Sequence, residues 1–203
     1  MIFLKLIAHR GVVTKDIKEN TLAAFIKAIY DENYVGFELD VRQTKDKKFV
    51  IHHNLLHNDK FISNYDYNEI KTDIPLLLDV LKLDTNKIIL IEIKDYKINY
   101  QSFIKVLNKY SNKDIYVMSF HGNVIKELKK LNCPFKLGIL NYLINTEVNY
   151  NYDFICYIND FINDKIISYC HKHNIELFSY AIYHKKQIVN KNIYYIVDDE
   201  TII

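Results

Sequence analysis

The chain has 203 residues, 49% of them apolar, which suits one globular domain spanning 1–203 and excludes a disordered segment. Its 27 basic and 25 acidic side chains leave a formal charge of +2 with no long basic block, which excludes nucleic acid as an electrostatic partner. Three widely spaced cysteines exclude a disulfide framework, and no apolar run reaches the ~18 residues of a membrane-spanning helix.

The first segment, Ile2–Ala8, is apolar and β-branched and reads as a buried strand. It has no basic leader or small-residue cleavage site, so a cytoplasmic location is expected. Asn20 or Thr21 can cap a helix running to Tyr30, because LAAFIKAI repeats apolar residues at helical spacing. Val35–Val41 is a second strand, and Phe49–His53 follows too soon for a helical crossover. These two therefore form an antiparallel hairpin, with its turn at Asp46-Lys47. Further strands are predicted at Ile88–Ile93, Ile115–Ser119, Phe135–Leu140, Phe154–Ile158, Glu176–Ala181 and Ile193–Val197. Helices are predicted at Leu76–Lys82, Tyr100–Tyr110, Val124–Leu131, Asp160–His173 and His184–Asn190, and Asn141–Tyr152 reads as an irregular crossing. Strand–helix alternation with eight such strands, the hairpin segment apart, predicts an α/β fold: a small (β/α)8 barrel with a hairpin excursion after strand 2. An open doubly wound sheet is the alternative.

In such a barrel the strand C-termini build the site. His9-Arg10-Gly11, Glu38, Asp40, His53, Glu92 and Lys94 all fall there. Glu38 and Asp40, two apart on a strand, share one face. Side by side and desolvated they repel, and a divalent cation resolves the repulsion. Glu92 can supply a third oxygen, and the set suits Mg²⁺ or Ca²⁺ rather than zinc. Lys94 offers positive charge to an anionic substrate. A two-residue turn would pair Asp40 with His53 and turn His52 away, although a one-residue slip reverses that choice.

HRG, ENT, ExDV, TKD, a histidine followed by Asn54, Pro75 to Leu81, and IEIK occur in this order, most of them at a strand end or a helix start. This series resembles the glycerophosphodiester phosphodiesterase family. The resemblance implies a barrel of the triose-phosphate-isomerase type that releases sn-glycerol 3-phosphate and an alcohol from a small phosphodiester. It implies Glu38, Asp40 and Glu92 as ligands of one divalent cation, and His9 and His53 as the acid/base pair. Arg10 and Lys94 would contact phosphate, and Tyr180 would pack against glycerol carbons. The chain departs from the family pattern at Asn54 (normally Asp), Lys18 (normally Pro) and Lys47 (normally Gly), and the terminal threonine-aspartate becomes Asp198-Asp199.

Two other readings are carried forward. One is a phospholipase-D-like lyase acting on lysophospholipids or sphingolipids, which needs a lipid-facing loop; no apolar loop is evident after the hairpin. The other is a non-catalytic barrel that binds phosphodiesters. No protein partner is indicated.

Overall fold

The computed structural model describes residues 4–142, 152–188 and 190–198. In chain order its elements are β1 (Lys5–Ala8), α1 (Leu22–Tyr30), β2 (Tyr34–Gln43), β3 (Phe49–Ile51), a two-strand excursion of β4 (Leu56–His57) and β5 (Lys60–Phe61), and α2 (Leu77–Leu81). Then come β6 (Ile88–Ile93), α3 (Tyr100–Asn108), β7 (Ile115–Ser119), α4 (Gly122–Lys130), β8 (Lys136–Asn141), β9 (Phe154–Ile158), α5 (Asp164–Lys172), β10 (Glu176–Ile182) and β11 (Tyr194–Val197).

Eight parallel strands run β1-β11-β10-β9-β8-β7-β6-β2, and β2 pairs back onto β1. The sheet is thus closed, which decides against the open doubly wound alternative. The short β3 adds to β2 alone, antiparallel. Period-two alternation sorts side chains into two cores. Ile7, Leu90, Met118, Leu140, Cys156, Phe178 and Ile196 fill the interior, and a larger set packs between the barrel and its helices. Helix α1 shows how the outer layer forms. Thr21, rather than Asn20, caps it by accepting from Ala24 N at 3.3 Å. Its apolar face buries Phe25 against Phe37, with ring centroids 5.2 Å apart; burying such a ring contributes about 1.5–3 kcal/mol.

Three expectations change. The helix predicted over Asp160–His173 starts at Asp164, because Asn163 caps it by accepting from the amides of Lys165 and Ile166; residues 159–161 form a separate 3-10 turn. Among the described residues, the stretch read as His184–Asn190 yields only the 3-10 turn Lys185–Gln187, where the Gln187 side chain takes up the Tyr183 and His184 amides. Asn141 ends β8, and most of the crossing read over Asn141–Tyr152 lies outside the described residues.

The third change is the hairpin register. The loop holds three residues, Lys45-Asp46-Lys47, closed by Thr44 N donating to Lys48 O at 2.9 Å and Lys47 N donating to Thr44 O at 3.0 Å. Lys47 sits in the left-handed region at φ +66°. This is a turn followed by a left-handed bulge residue, the usual three-residue solution. The extra residue shifts the ladder to Val41–Ile51, Arg42–Val50 and Gln43–Phe49. His52, not His53, therefore lies opposite Asp40, and its amide donates to Asp40 O at 3.0 Å.

A non-glycine residue in that region is strained by about 1 kcal/mol, partly offset by the freedom glycine regains when unfolded. Lys47→Gly is expected to raise the thermal midpoint by about 2 °C. Differential scanning calorimetry checks this, and a lowered midpoint would show that Lys47 is held by other contacts.

Candidate active site

The site is built by continuing each strand's inward parity past its C-terminus. Inward positions run Ile7 to His9, then Glu38-x-Asp40-x-Arg42, Leu90-x-Glu92-x-Lys94, Met118 to Phe120, Leu140 to Tyr142, Phe178 to Tyr180, and Ile196 to Asp198. A cleft of about 220 Å³ opens at this end. His9, Arg10, Glu38, His53, Glu92, Lys94, Phe120, Tyr142 and Tyr180 line it.

Oxygens of Glu38, Asp40 and Glu92 lie within 4.8 Å of one another, and all three residues are buried. Glu38 Oε2 accepts from the Arg10 backbone amide at 3.0 Å, but Glu38 Oε1 is buried with no hydrogen-bond partner. Burial first, then the charges of Asp40 and Glu92, push the Glu38 carboxyl well above its ordinary range. Burial also raises Glu92, against the pull of Lys94. Asp40 has the most partners. Asn20 Nδ2 donates to it at 2.8 Å, Arg10 Nε pairs at 3.2 Å and Lys94 Nζ at 3.6 Å. Lys94 also lies 2.7 Å from Glu92.

The loop after β1 explains the HRG spacing. Arg10 and Gly11 both have positive φ, at 55° and 81°. A Cβ on Gly11 would meet Ala24 at 2.7 Å, so only glycine fits. The bend aims the Arg10 amide at Glu38 and leaves the Arg10 side chain between Asp40 and Glu19, the latter at 2.9 Å.

His9 Nδ1 lies 2.7 Å from Asp198 Oδ1. That contact holds the Asp198 carboxyl below its usual range and turns Nε2 of His9 away from the carboxylate. His53 reaches the cleft although the predicted pairing with Asp40 does not exist. The chain leaves the ladder after Ile51, and His53 enters the mouth as a loop residue, with Nδ1 3.1 Å from Asn54 Oδ1. Burial lowers its pKa from 6.5. His52 is directed elsewhere: Nε2 meets Leu56 O, and its ring stands edge-on to His57.

A model of the glycerophosphoryl diester phosphodiesterase family matches residues 9–188. The chain belongs to that family. The glycerophosphodiester phosphodiesterase of Caldanaerobacter subterraneus subsp. tengcongensis is 27% identical over 217 residues, covering 90% of this chain and 87% of that protein. Among solved structures, the glycerophosphodiester phosphodiesterase of Thermotoga maritima is 26% identical, with a TM-score of 0.78 over 95% of this chain and 93% of its own. An Oleispira antarctica phosphodiesterase, solved with its product sn-glycerol-3-phosphate, shares the fold at a TM-score of 0.83 with 17% identity, covering 97% and 93%. The family's chemistry, cleavage of phosphoric diesters, is thus the enzyme class of this chain.

All eight residues singled out from the sequence border the cleft or its carboxylate cluster. Tyr180 is there, but its hydroxyl is engaged by Asn141 O at 3.2 Å, so it presents its ring. Sequence reading passed over Asn20, Glu19, Phe120, Tyr142 and Asp198 as site residues. Asn20 was the middle letter of ENT, and its φ of 56° and buried bonds to Asp40 distinguish it from a cap. Extending the strand parity by two residues would have found Phe120, Tyr142 and Asp198. The absence of an apolar loop after the hairpin also does not hold, because Leu55, Leu56 and Phe61 are exposed there. Among the described residues, no helix is long and apolar enough to cross a membrane.

Proposed function

We propose that this single-domain chain hydrolyses glycerophosphodiesters to sn-glycerol 3-phosphate and an alcohol. A divalent cation is held by Glu38, Asp40 and Glu92, and His9 and His53 move the protons. The observation that carries the reading is the partnerless oxygen of Glu38, buried beside two further carboxylates. Such a cluster is costly without a cation, and its three hard oxygen donors suit Mg²⁺ or Ca²⁺. Bound there, the cation would stabilise charge on the phosphoryl oxygens.

The chain's own groups supply the rest. Lys94 and Arg10 neutralise the carboxylates in the structure. A cation taking over that task leaves both free to meet the phosphate, Arg as a fork and Lys as a point charge. Water, or the glycerol 2-hydroxyl, forms the new P–O bond as one histidine takes its proton. The bond to the alcohol breaks as the other histidine delivers one. On the 2-hydroxyl route this leaves a cyclic phosphate, which water then opens, adding a P–O bond to water and breaking the ring bond to the 2-oxygen, to give sn-glycerol 3-phosphate. Phe120 and Tyr142, stacked at 4.5 Å, and the ring of Tyr180 wall the cleft against water and offer apolar surface to glycerol carbons. The free cysteines support a cytoplasmic setting.

Turnover of glycerophosphocholine is the test. Chelator is expected to lower the rate at least ~100-fold, with recovery on adding Mg²⁺ or Ca²⁺. An unchanged rate in chelator would remove the metal from the reading. The exposed Leu55, Leu56 and Phe61 favour the lyase as a second reading. A cyclic phosphate as the end product from a lysophospholipid would select it.

A further inference from the structure

We infer that Arg42, locked by Asp95, is a positioning residue that sets His53 against the carboxylate cluster. The inference rests on the proposed role of His53 and goes beyond it.

Three observations carry it. First, Arg42 is the next inward residue on β2 after Glu38 and Asp40, so it stands directly above the cluster on the same stripe. Secondly, its guanidinium is buried, and each of its three nitrogens is engaged. Nε and Nη2 donate to the backbone oxygen of His53 at 3.1 and 2.7 Å, and Nη1 pairs with Asp95 Oδ1 at 2.7 Å. Asp95 is fixed in turn, because its other oxygen accepts from the Gln43 amide at 2.7 Å. Thirdly, His53 has little else to hold it. The last backbone bond from this segment to β2 is made by the His52 amide on Asp40 O, one residue short of His53, and the one side-chain partner of the His53 ring among the described contacts is the neutral amide of Asn54.

The lock therefore ties together β2, which carries Glu38 and Asp40; the segment after β3, which carries His53; and the segment after β6, next to Glu92 and Lys94. A rigid fork on one carbonyl fixes both distance and direction, which a single donor does not. Arg42 touches no group proposed to react. Its effect runs through the placement of the His53 backbone, and misplacement of a proton-transfer group by about 1 Å is worth roughly 100-fold in rate. Burying an arginine here has a further consequence: without it, Asp95 is left as an uncompensated charge.

The test is a double-mutant cycle of Arg42→Ala and His53→Ala, with Arg42→Lys alongside. Lysine keeps the charge beside Asp95 but cannot place two donors on the carbonyl, so it separates positioning from folding. Arg42→Lys and Arg42→Ala are each expected to lower kcat about 10- to 100-fold with KM changed less than about threefold. In the His53→Ala background, Arg42→Lys is expected to add almost nothing. A drop of equal size in both backgrounds would overturn the inference, as would full activity of Arg42→Lys. If His53→Ala itself keeps full activity, the acid/base role of His53 fails first. That outcome is read from the single variant and is distinct from failure of the lock.

Discussion

Glu38→Gln is expected to destroy turnover while making the metal-free protein more stable. The two effects have one cause. Glu38 is buried beside Asp40 and Glu92, and one of its oxygens has no partner. Loss of a proposed ligand and its charge should lower kcat/KM by about 10³ or more, since a cation held there would stabilise the transition-state charge. Gln keeps the shape and still accepts from the Arg10 amide, but removes a like charge. Because the folded carboxyl titrates well above its unfolded value, its stabilising contribution is complete below the unfolded pKa and is lost as pH rises through the folded one. Metal-free wild type should therefore lose stability from mild acid to neutral pH, and Glu38→Gln should lose less. In chelator at pH 7.5 the variant's midpoint should be the higher by a few degrees, at about 2–4 °C per kcal/mol. Added Mg²⁺ or Ca²⁺ should raise wild type only. A variant less stable than wild type in chelator would show that the cluster is not repulsive.

His9→Ala and His53→Ala are each expected to lower kcat by about 10²- to 10⁴-fold. The double variant should be barely worse than either, because the two act on one proton transfer sequence. The pH profile adds a sharper check. Burial places the folded pKa of His53 below 6.5, so one limb of the kcat/KM profile should lie below pH 6.5 and vanish in His53→Ala. Asn54→Asp puts a carboxylate where Asn54 now offers an amide oxygen at 3.1 Å. An adjacent negative charge favours imidazolium, so that limb should move to higher pH. A profile unmoved by Asn54→Asp would disconnect the limb from His53.

Much of the site was legible because strands repeat every two residues. Glu38-x-Asp40 and Glu92-x-Lys94 declare one face from their spacing alone, and the closed barrel turns that face inward. The same rule carried two residues further accounts for Phe120, Tyr142 and Asp198. His53 is the instructive case. Sequence reasoning chose the neighbour that lines the cleft, for a reason the structure removes. The hairpin loop holds three residues rather than two, so His52 stands opposite Asp40. His53 reaches the cleft through a loop whose course is set by Arg42 and Asp95, 11 and 42 residues away in sequence. The start of α5 is set by the side chain of Asn163, which accepts from the first free amides of the helix, and periodicity does not record such a cap.

By itself the sequence determined the alternation of strands and helices and the stripe of carboxylates, and it posed the question of what offsets their repulsion. Each follows from local spacing and from the cost of desolvating like charges. Only the tertiary structure decided that the sheet closes, that Asn20, Arg10 and Lys94 all converge on Asp40, and which histidine faces the cleft. Those outcomes depend on loop geometry and on contacts between residues distant in the chain, where one residue more in a turn reverses the face that a side chain presents.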